Sequence, residues 1–268
     1  MSTYKFDKDV FVGKVSDGVF HTKISSDYNI AAPNGGYLMS ILGNAAIHSG
    51  EFSLPLSMSV YYHRPTKPGE AEIHTKKLFG GPRLETFDIR LFQGKEESIT
   101  CTASFTRENA FRGLSLPSPP PNLPQFEECT KAVFPQIVFY TPISLYLPEV
   151  QLEWINGKLK GERKLTGYLE FADGREIDPL SLLLFSDASF PPVMRYTGGL
   201  AWVPTIEISV QIRGIPRGKR IGLISMTRFV SDGLLETDAE LYNETGEILA
   251  LSRQLAVIKE KKRRPISN

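Results

Sequence analysis

One order of elements, an apolar helix followed by long alternating strands, is written twice in this 268-residue chain, once on each side of a proline-rich stretch. That repeat constrains the fold more than any single motif. In the first copy Tyr37, Leu38, Ile41, Leu42, Ala45 and Ala46 recur at helical spacing within residues 33–50, which predicts a helix with a wide buried face. Residues 56–63 then alternate apolar and polar side chains, as a half-buried strand does. Segments 71–79, 83–93 and 98–106 follow as further strands, joined at Gly80-Gly81 and Gln93-Gly94-Lys95. In the second copy Asp178-Pro179 opens an apolar run, predicted as helix through Phe190. Strands are predicted over 205–212, 220–230, 234–242 and 248–258. Ser59-Val60 returns as Ser209-Val210, and Leu84-Glu85-Thr86 returns as Leu235-Glu236-Thr237 with one residue of slippage.

Between the copies, residues 110–148 hold eight prolines, too many for a helix interior or a central strand. The stretch reads as a linker and divides the chain into 1–109, 110–148 and 149–268. A helix with a meander of long strands predicts an α+β unit in which an antiparallel sheet wraps the helix. Two such units in one chain would pair their sheets and cover an edge. That arrangement is a double hotdog.

Composition narrows the function classes. An apolar content of 41% and a net charge of +1 fit a globular protein with an ample core and give no reason to expect nucleic acid as a partner. Two cysteines are too few for a disulfide framework, and Cys101 falls on the apolar side of its strand as a core residue. No apolar run reaches the ~20 residues of a membrane span. The charged start MSTYKFDKDV lacks a signal-peptide core, and the final Ser267-Asn268 is no usual peroxisomal address, so a cytoplasmic location is expected. The basic run Lys259-Glu260-Lys261-Lys262-Arg263-Arg264 reads as a solvated end that could also help hold a phosphate.

Few polar residues stand in apolar settings. Asp187 lies at the end of Leu182-Leu183-Leu184-Phe185-Ser186, and an unpaired buried carboxylate is costly enough to need partners or a task. It either caps the Pro191-Pro192 turn or belongs to a site. Thr205 starts an alternating strand, and Gln254 sits between small neighbours at Ser252 and Ala256; taken alone, the first reads as an ordinary strand residue and the second as a satisfied core polar group. Gly35-Gly36 costs roughly 1 kcal/mol per residue at a helix start. The pair implies either a segment passing closely or bare amides wanted at that end. His63 is the one histidine considered for a site. The sequence has no metal-ligand spacing, phosphate loop, Gly-x-Ser-x-Gly elbow or His-Phe-Pro-Gly segment, and no cofactor is implied.

The chain resembles the acyl-CoA thioesterase II family of double-hotdog proteins over nearly its whole length apart from the linker and tail. The resemblance is carried by Asn34-Gly35-Gly36 and His63-Arg64-Pro65 in the first half. In the second half it is carried by Phe185-Ser186-Asp187-Ala188-Ser189-Phe190-Pro191-Pro192-Val193, Trp202-Val203-Pro204-Thr205-Ile206-Glu207 and Ser252-Arg253-Gln254. It implies hydrolysis of an acyl thioester, on coenzyme A or a carrier, by a water held by Asp187, Thr205 and Gln254. Asn34, Gly35, Gly36, Tyr37 and His63 would bind substrate, with an acyl carbonyl approaching the amides near Gly36 and Tyr37. The chain departs from the pattern at Glu207-Ile208, where bacterial members often carry Asp-His, a difference that bears on substrate fit. A non-catalytic acyl- or polyketide-binding hotdog protein and a hotdog hydratase or dehydratase remain alternatives. Homo-oligomers are plausible for the fold class. The two halves are also expected to be unequal, since Asn44, Pro55 and Ala103 stand where the second half has Asp187, Thr205 and Gln254.

Overall fold

The structure, a computed structural model, describes residues 3–156, 162–198 and 202–258. In the first half α1 (Lys5–Asp9), β1 (Gly13–Ser16) and β2 (Val19–Ile24) precede α2 (Gly35–Ile47), and β3 (Leu54–Tyr62), β4 (Gly69–Gly80), β5 (Leu84–Gln93) and β6 (Glu96–Thr106) follow it. In the second half β7 (Cys129–Lys131), β8 (Ile143–Pro148) and β9 (Lys164–Phe171) precede α3 (Ser181–Phe185) and α4 (Met194–Thr197). The chain then forms β10 (Thr205–Ile212), β11 (Arg220–Met226), β12 (Val230–Ser231), β13 (Leu234–Tyr242) and β14 (Ile248–Val257).

These strands form one antiparallel sheet, ordered β1-β2-β4-β5-β6-β3-β10-β14-β13-β11-β9-β8-β7, with β12 paired to β13. The order reads the same outward from its middle, so β3, β6, β5, β4 and β2 correspond to β10, β14, β13, β11 and β9. At the seam the repeated serines meet, with Ser59 paired to Ser209. Thr205 pairs with Ala256 ahead of a bulge, as Pro55 pairs with Phe105 ahead of one. The internal repeat is therefore a pseudo-two-fold of the sheet. Alternation puts Met58, Val60, Ile89, Cys101, Ile208, Val210 and Leu223 on the face that packs against the helices, all at most 2% exposed.

Gly36 through Gly43 of α2 are buried without a break, so the helix is enclosed by the sheet and by α3. Asn34 caps α2, its Oδ1 accepting the Tyr37 amide at 2.9 Å. No helix among the described residues is long and apolar enough to cross a membrane.

Three boundaries differ from expectation. The strand expected over 220–230 stops at Met226, because the Arg228 and Phe229 amides turn to the Glu236 carboxylate, and Val230–Ser231 pairs with β13 as the separate β12. The apolar run after Asp178 gives only the five-residue α3. Asp178 and Ser181 cap its start reciprocally, at 2.7 and 2.9 Å. Ser186 ends it by returning its hydroxyl to Leu182 O at 2.7 Å, and Asp187 and Ala188 then bond to carbonyls three residues back. Pro191 and Pro192 prevent any extension. The proline-rich stretch is also not linker throughout, because β7 and β8 fall within it and extend the second half of the sheet through β9. Pro142 precedes β8 and Pro148 ends it, so neither removes a donor from the interior of the ladder. The basic run 259–264 lies outside the described residues.

Candidate active site

The short α3 brings the end of one half's helix against the start of the other's. A Cβ at Gly36 would lie 2.5 Å from Leu184 O and 2.9 Å from Leu183 O, and a Cβ at Gly35 would lie 2.8 Å from the Tyr62 hydroxyl and 2.9 Å from Asp187 Oδ2. The glycine pair is thus a close-approach site between the two helices. The turn after α3 is fixed from the sheet by Ser252, whose hydroxyl donates to Ser186 O at 3.0 Å.

That crossing presents Asp187 to the N-terminus of α2. Asp187 Oδ2 accepts the Gly36 amide at 3.1 Å and the Asn34 side-chain amide at 3.0 Å, while Asn34 Nδ2 also donates to Asp187 O at 2.8 Å. Burial pushes the Asp187 carboxyl up to about 6, and hydrogen bonds from the Gly36 amide, Asn34, Gln254 and the Gly35 amide hold it from rising further. Among the described residues no lysine, arginine or histidine forms an ion pair with it. Thr205 Oγ1 donates to Gln254 Oε1 at 2.7 Å, which turns the Gln254 amino group toward the carboxylate.

Asp187, Thr205 and Gln254 line one cavity of about 590 Å³, together with Asn34, Gly35 and His63. Much of the remaining wall is apolar, from Leu38, Ile137, Phe190, Met194, Val203 and Val257. A cavity of this size, with a few converging polar groups and a carboxyl shifted toward neutrality, has the form of a small-molecule site. His63 stands exposed at its edge with Nε2 2.9 Å from Thr100 Oγ1.

Tyr37 is not in the cavity wall. Its ring is fully buried and stacked 4.0 Å from Tyr28, its hydroxyl is shared between Ser25 N and Asp9 O, and its amide is taken by Asn34. Gly36 does not line the cavity either, because its amide is spent on Asp187. The two amides expected to meet an acyl carbonyl are thus both engaged within the protein, by Asp187 and by Asn34. The positive end of α2 faces a carboxylate the protein supplies itself.

Sequence reasoning missed Tyr62 and Tyr140. Both line the cavity, and their hydroxyls brace it by donating to Gly35 O at 2.8 Å and to Ala188 O at 3.2 Å. Tyr140 stands in the proline-rich stretch, where its pairing with Phe139 is the only local signal. Glu207, where the chain departs from the pattern it resembles, alternates with buried Ile208 and accepts the hydroxyls of Ser59 and Ser209 at the seam. In the first half, Asn44 donates to Val10 O at 2.8 Å. That bond is structural, and Pro55 and Ala103 offer no polar group.

The sheet order and the paired helices define a double-hotdog fold, and the cavity lies where the two halves meet. The acyl-CoA thioesterase C-terminal domain profile matches residues 117–258, and the N-terminal domain profile matches residues 24–106. The chain belongs to this family and is a thioester hydrolase. A Thermobifida fusca protein described as a candidate thioesterase II is 27% identical, covers 97% of this chain and 100% of its own, and superposes at a TM-score of 0.88. A hot dog protein of unknown function from Alicyclobacillus acidocaldarius gives 18% identity, 97% and 100% coverage and a TM-score of 0.85. The acyl-CoA thioesterase II TesB2 of Mycobacterium marinum gives 14% identity, 96% and 99% coverage and a TM-score of 0.71. The latter two likenesses speak for the fold alone. No curated protein matches the chain significantly.

Proposed function

We propose that the chain hydrolyses acyl-CoA thioesters with a water held by Asp187, Thr205 and Gln254, at one site per chain. The observation that carries this reading is the convergence of those three side chains on one largely apolar cavity, with the Asp187 carboxyl raised to about 6. A base of that strength is ionised at neutral pH yet still takes up a proton readily. The acyl chain occupies the apolar wall. Thr205 fixes the Gln254 amide by donating to its oxygen, which leaves the amino group to orient the water beside Asp187.

Asp187 takes a proton from the water as its oxygen attacks the thioester carbonyl carbon. When the tetrahedral intermediate collapses, the carbon–sulfur bond breaks and the thiol leaves as a thiolate, whose conjugate acid has a pKa of roughly 8.5. So weakly basic a leaving group needs no strong general acid. The products are a carboxylic acid and free coenzyme A, and the proton on Asp187 returns to solvent.

Thiol release from acyl-CoAs of graded chain length, measured with a thiol reagent, tests the proposal. Steady release by the wild type is expected, with a fall of ~100-fold or more in Asp187→Asn. Tight acyl-CoA binding without release, or an Asp187→Asn variant of normal rate, would overturn it.

A further inference from the structure

Asn34 has the composition of a substrate-binding group, but both of its N–H donors and one lone pair of its oxygen are already committed. A carboxamide offers one oxygen and two N–H donors. The oxygen accepts the Tyr37 amide at 2.9 Å as the cap of α2. The nitrogen donates to Asp187 O at 2.8 Å and to Asp187 Oδ2 at 3.0 Å. Its orientation is not free either, because turning the amide over would set its N–H groups against the Tyr37 N–H. Asn34 is 4% exposed, so water does not replace these partners.

Capping alone does not explain the residue, since Ser or Asp caps a helix about as well as Asn. Of these caps only Asn adds two N–H donors to its acceptor, and they meet both the Asp187 carbonyl and its carboxylate. We infer that Asn34 is a positioning residue: locked by its cap on α2, its side-chain amide holds the Asp187 carboxylate of the other half in place for the water, and it does not bind substrate. This rests on the reading of Asp187 as the base.

The groups that face Asp187 define how the position can be tested. From α2 come Asn34 and the Gly36 amide; from β14 comes Gln254, itself bonded to Thr205 of β10. Tyr62 of β3 and Tyr140, before β8, also face it, and burial raises both phenols so that they stay neutral. Glu207 of β10 acts on Tyr62 and is engaged by Ser59 and Ser209. With no cationic partner in this set, loss of the Asn34 donors falls directly on Asp187.

Two variants that keep a capping side chain test the inference, each assayed for kcat and KM across pH with one acyl-CoA that the wild type turns over. Asn34→Ser is too short to reach the carboxylate. It should lower kcat at least ~10-fold, hold KM within about threefold, and move the acid limb of the kcat profile to higher pH. Asn34→Asp sets a second carboxylate beside the first and should move the limb further. A rise in KM with kcat preserved would make Asn34 a substrate contact and overturn the inference. A lower kcat with the acid limb unmoved would make its role merely structural and overturn it equally. Asp187→Asn separates the layers. If that variant keeps a normal rate and acid limb, the reading of Asp187 fails. If it is inactive while Asn34→Ser behaves as wild type, only the inference about Asn34 fails.

Discussion

Asp187→Asn should make the protein more stable while it depresses turnover by ~100-fold or more. The Asp187 carboxyl is raised from an ordinary 3.8 to about 6 by burial. A rise of about two pH units, at about 1.4 kcal/mol each, means that ionised Asp187 costs the folded state about 3 kcal/mol at neutral pH. The folded state holds this proton more tightly than the unfolded chain. The group's favourable contribution is therefore complete below pH 4 or so and is lost as pH rises through about 6. Asparagine removes the charge, but it weakens the bonds from Gly36 N and Asn34 Nδ2, which are strongest to a carboxylate. The net gain at pH 7.5 should be about 1–2 kcal/mol, a few degrees in Tm for a chain of this size. Denaturant unfolding of wild type and variant at pH 7.5 and pH 4 reads it directly. The advantage should shrink or vanish at pH 4, where wild-type Asp187 is itself protonated. A variant less stable than wild type by more than about 1 kcal/mol at both pH values would refute the reasoning, since Asp187 would then be a structural anchor.

Gly36→Ala drives a Cβ against the backbone carbonyls of Leu183 and Leu184. It should cost about 3 kcal/mol or more, or prevent folding, and a thermal melt within 2 °C of wild type would contradict the close approach. Thr205→Val keeps the shape but removes the donor to Gln254 Oε1; kcat should fall about 10- to 100-fold with little change in KM, as steady-state thiol release will report. Glu85, 3% exposed, accepts the amides of Glu51 and Phe52 and pairs with Lys77. Glu85→Ala should therefore lose about 2–4 kcal/mol in denaturant unfolding. Asn44→Ala breaks only the bond to Val10 O and should keep kcat within a few-fold of wild type, whereas a loss matching that of Asp187→Asn would give both halves a role in the chemistry.

The repeat was legible because a sheet with one buried face forces alternation, and alternation survives even where residue identities have drifted. Ser59 and Ser209 were found as a repeated dipeptide and proved to face each other at the seam. Thr205 and Gln254 meet because their strand register repeats that of Pro55 and Ala103 with different side chains. The early end of α3 was hidden. Leu182 to Phe190 is apolar because it is buried, and burial alone does not distinguish a helix from a tight turn. β8 was hidden because its prolines fall at its ends, where they cost the ladder nothing. The fate of the α2 amides was also out of reach, since no local pattern tells that Asp187, 151 residues away, occupies Gly36 N.

The central claim, that the Asp187 carboxylate acts as the base, is tested most directly by the pH dependence of kcat/KM for acyl-CoA hydrolysis, which reports the groups of the free enzyme. Protonation removes the base, so the account predicts an acid limb with an apparent pKa near 6, set by burial of Asp187. The rate should fall about tenfold per pH unit below that value and be flat just above it. A kcat/KM that stays level down to pH 4.5, or a limb that persists unchanged in Asp187→Asn, would contradict it.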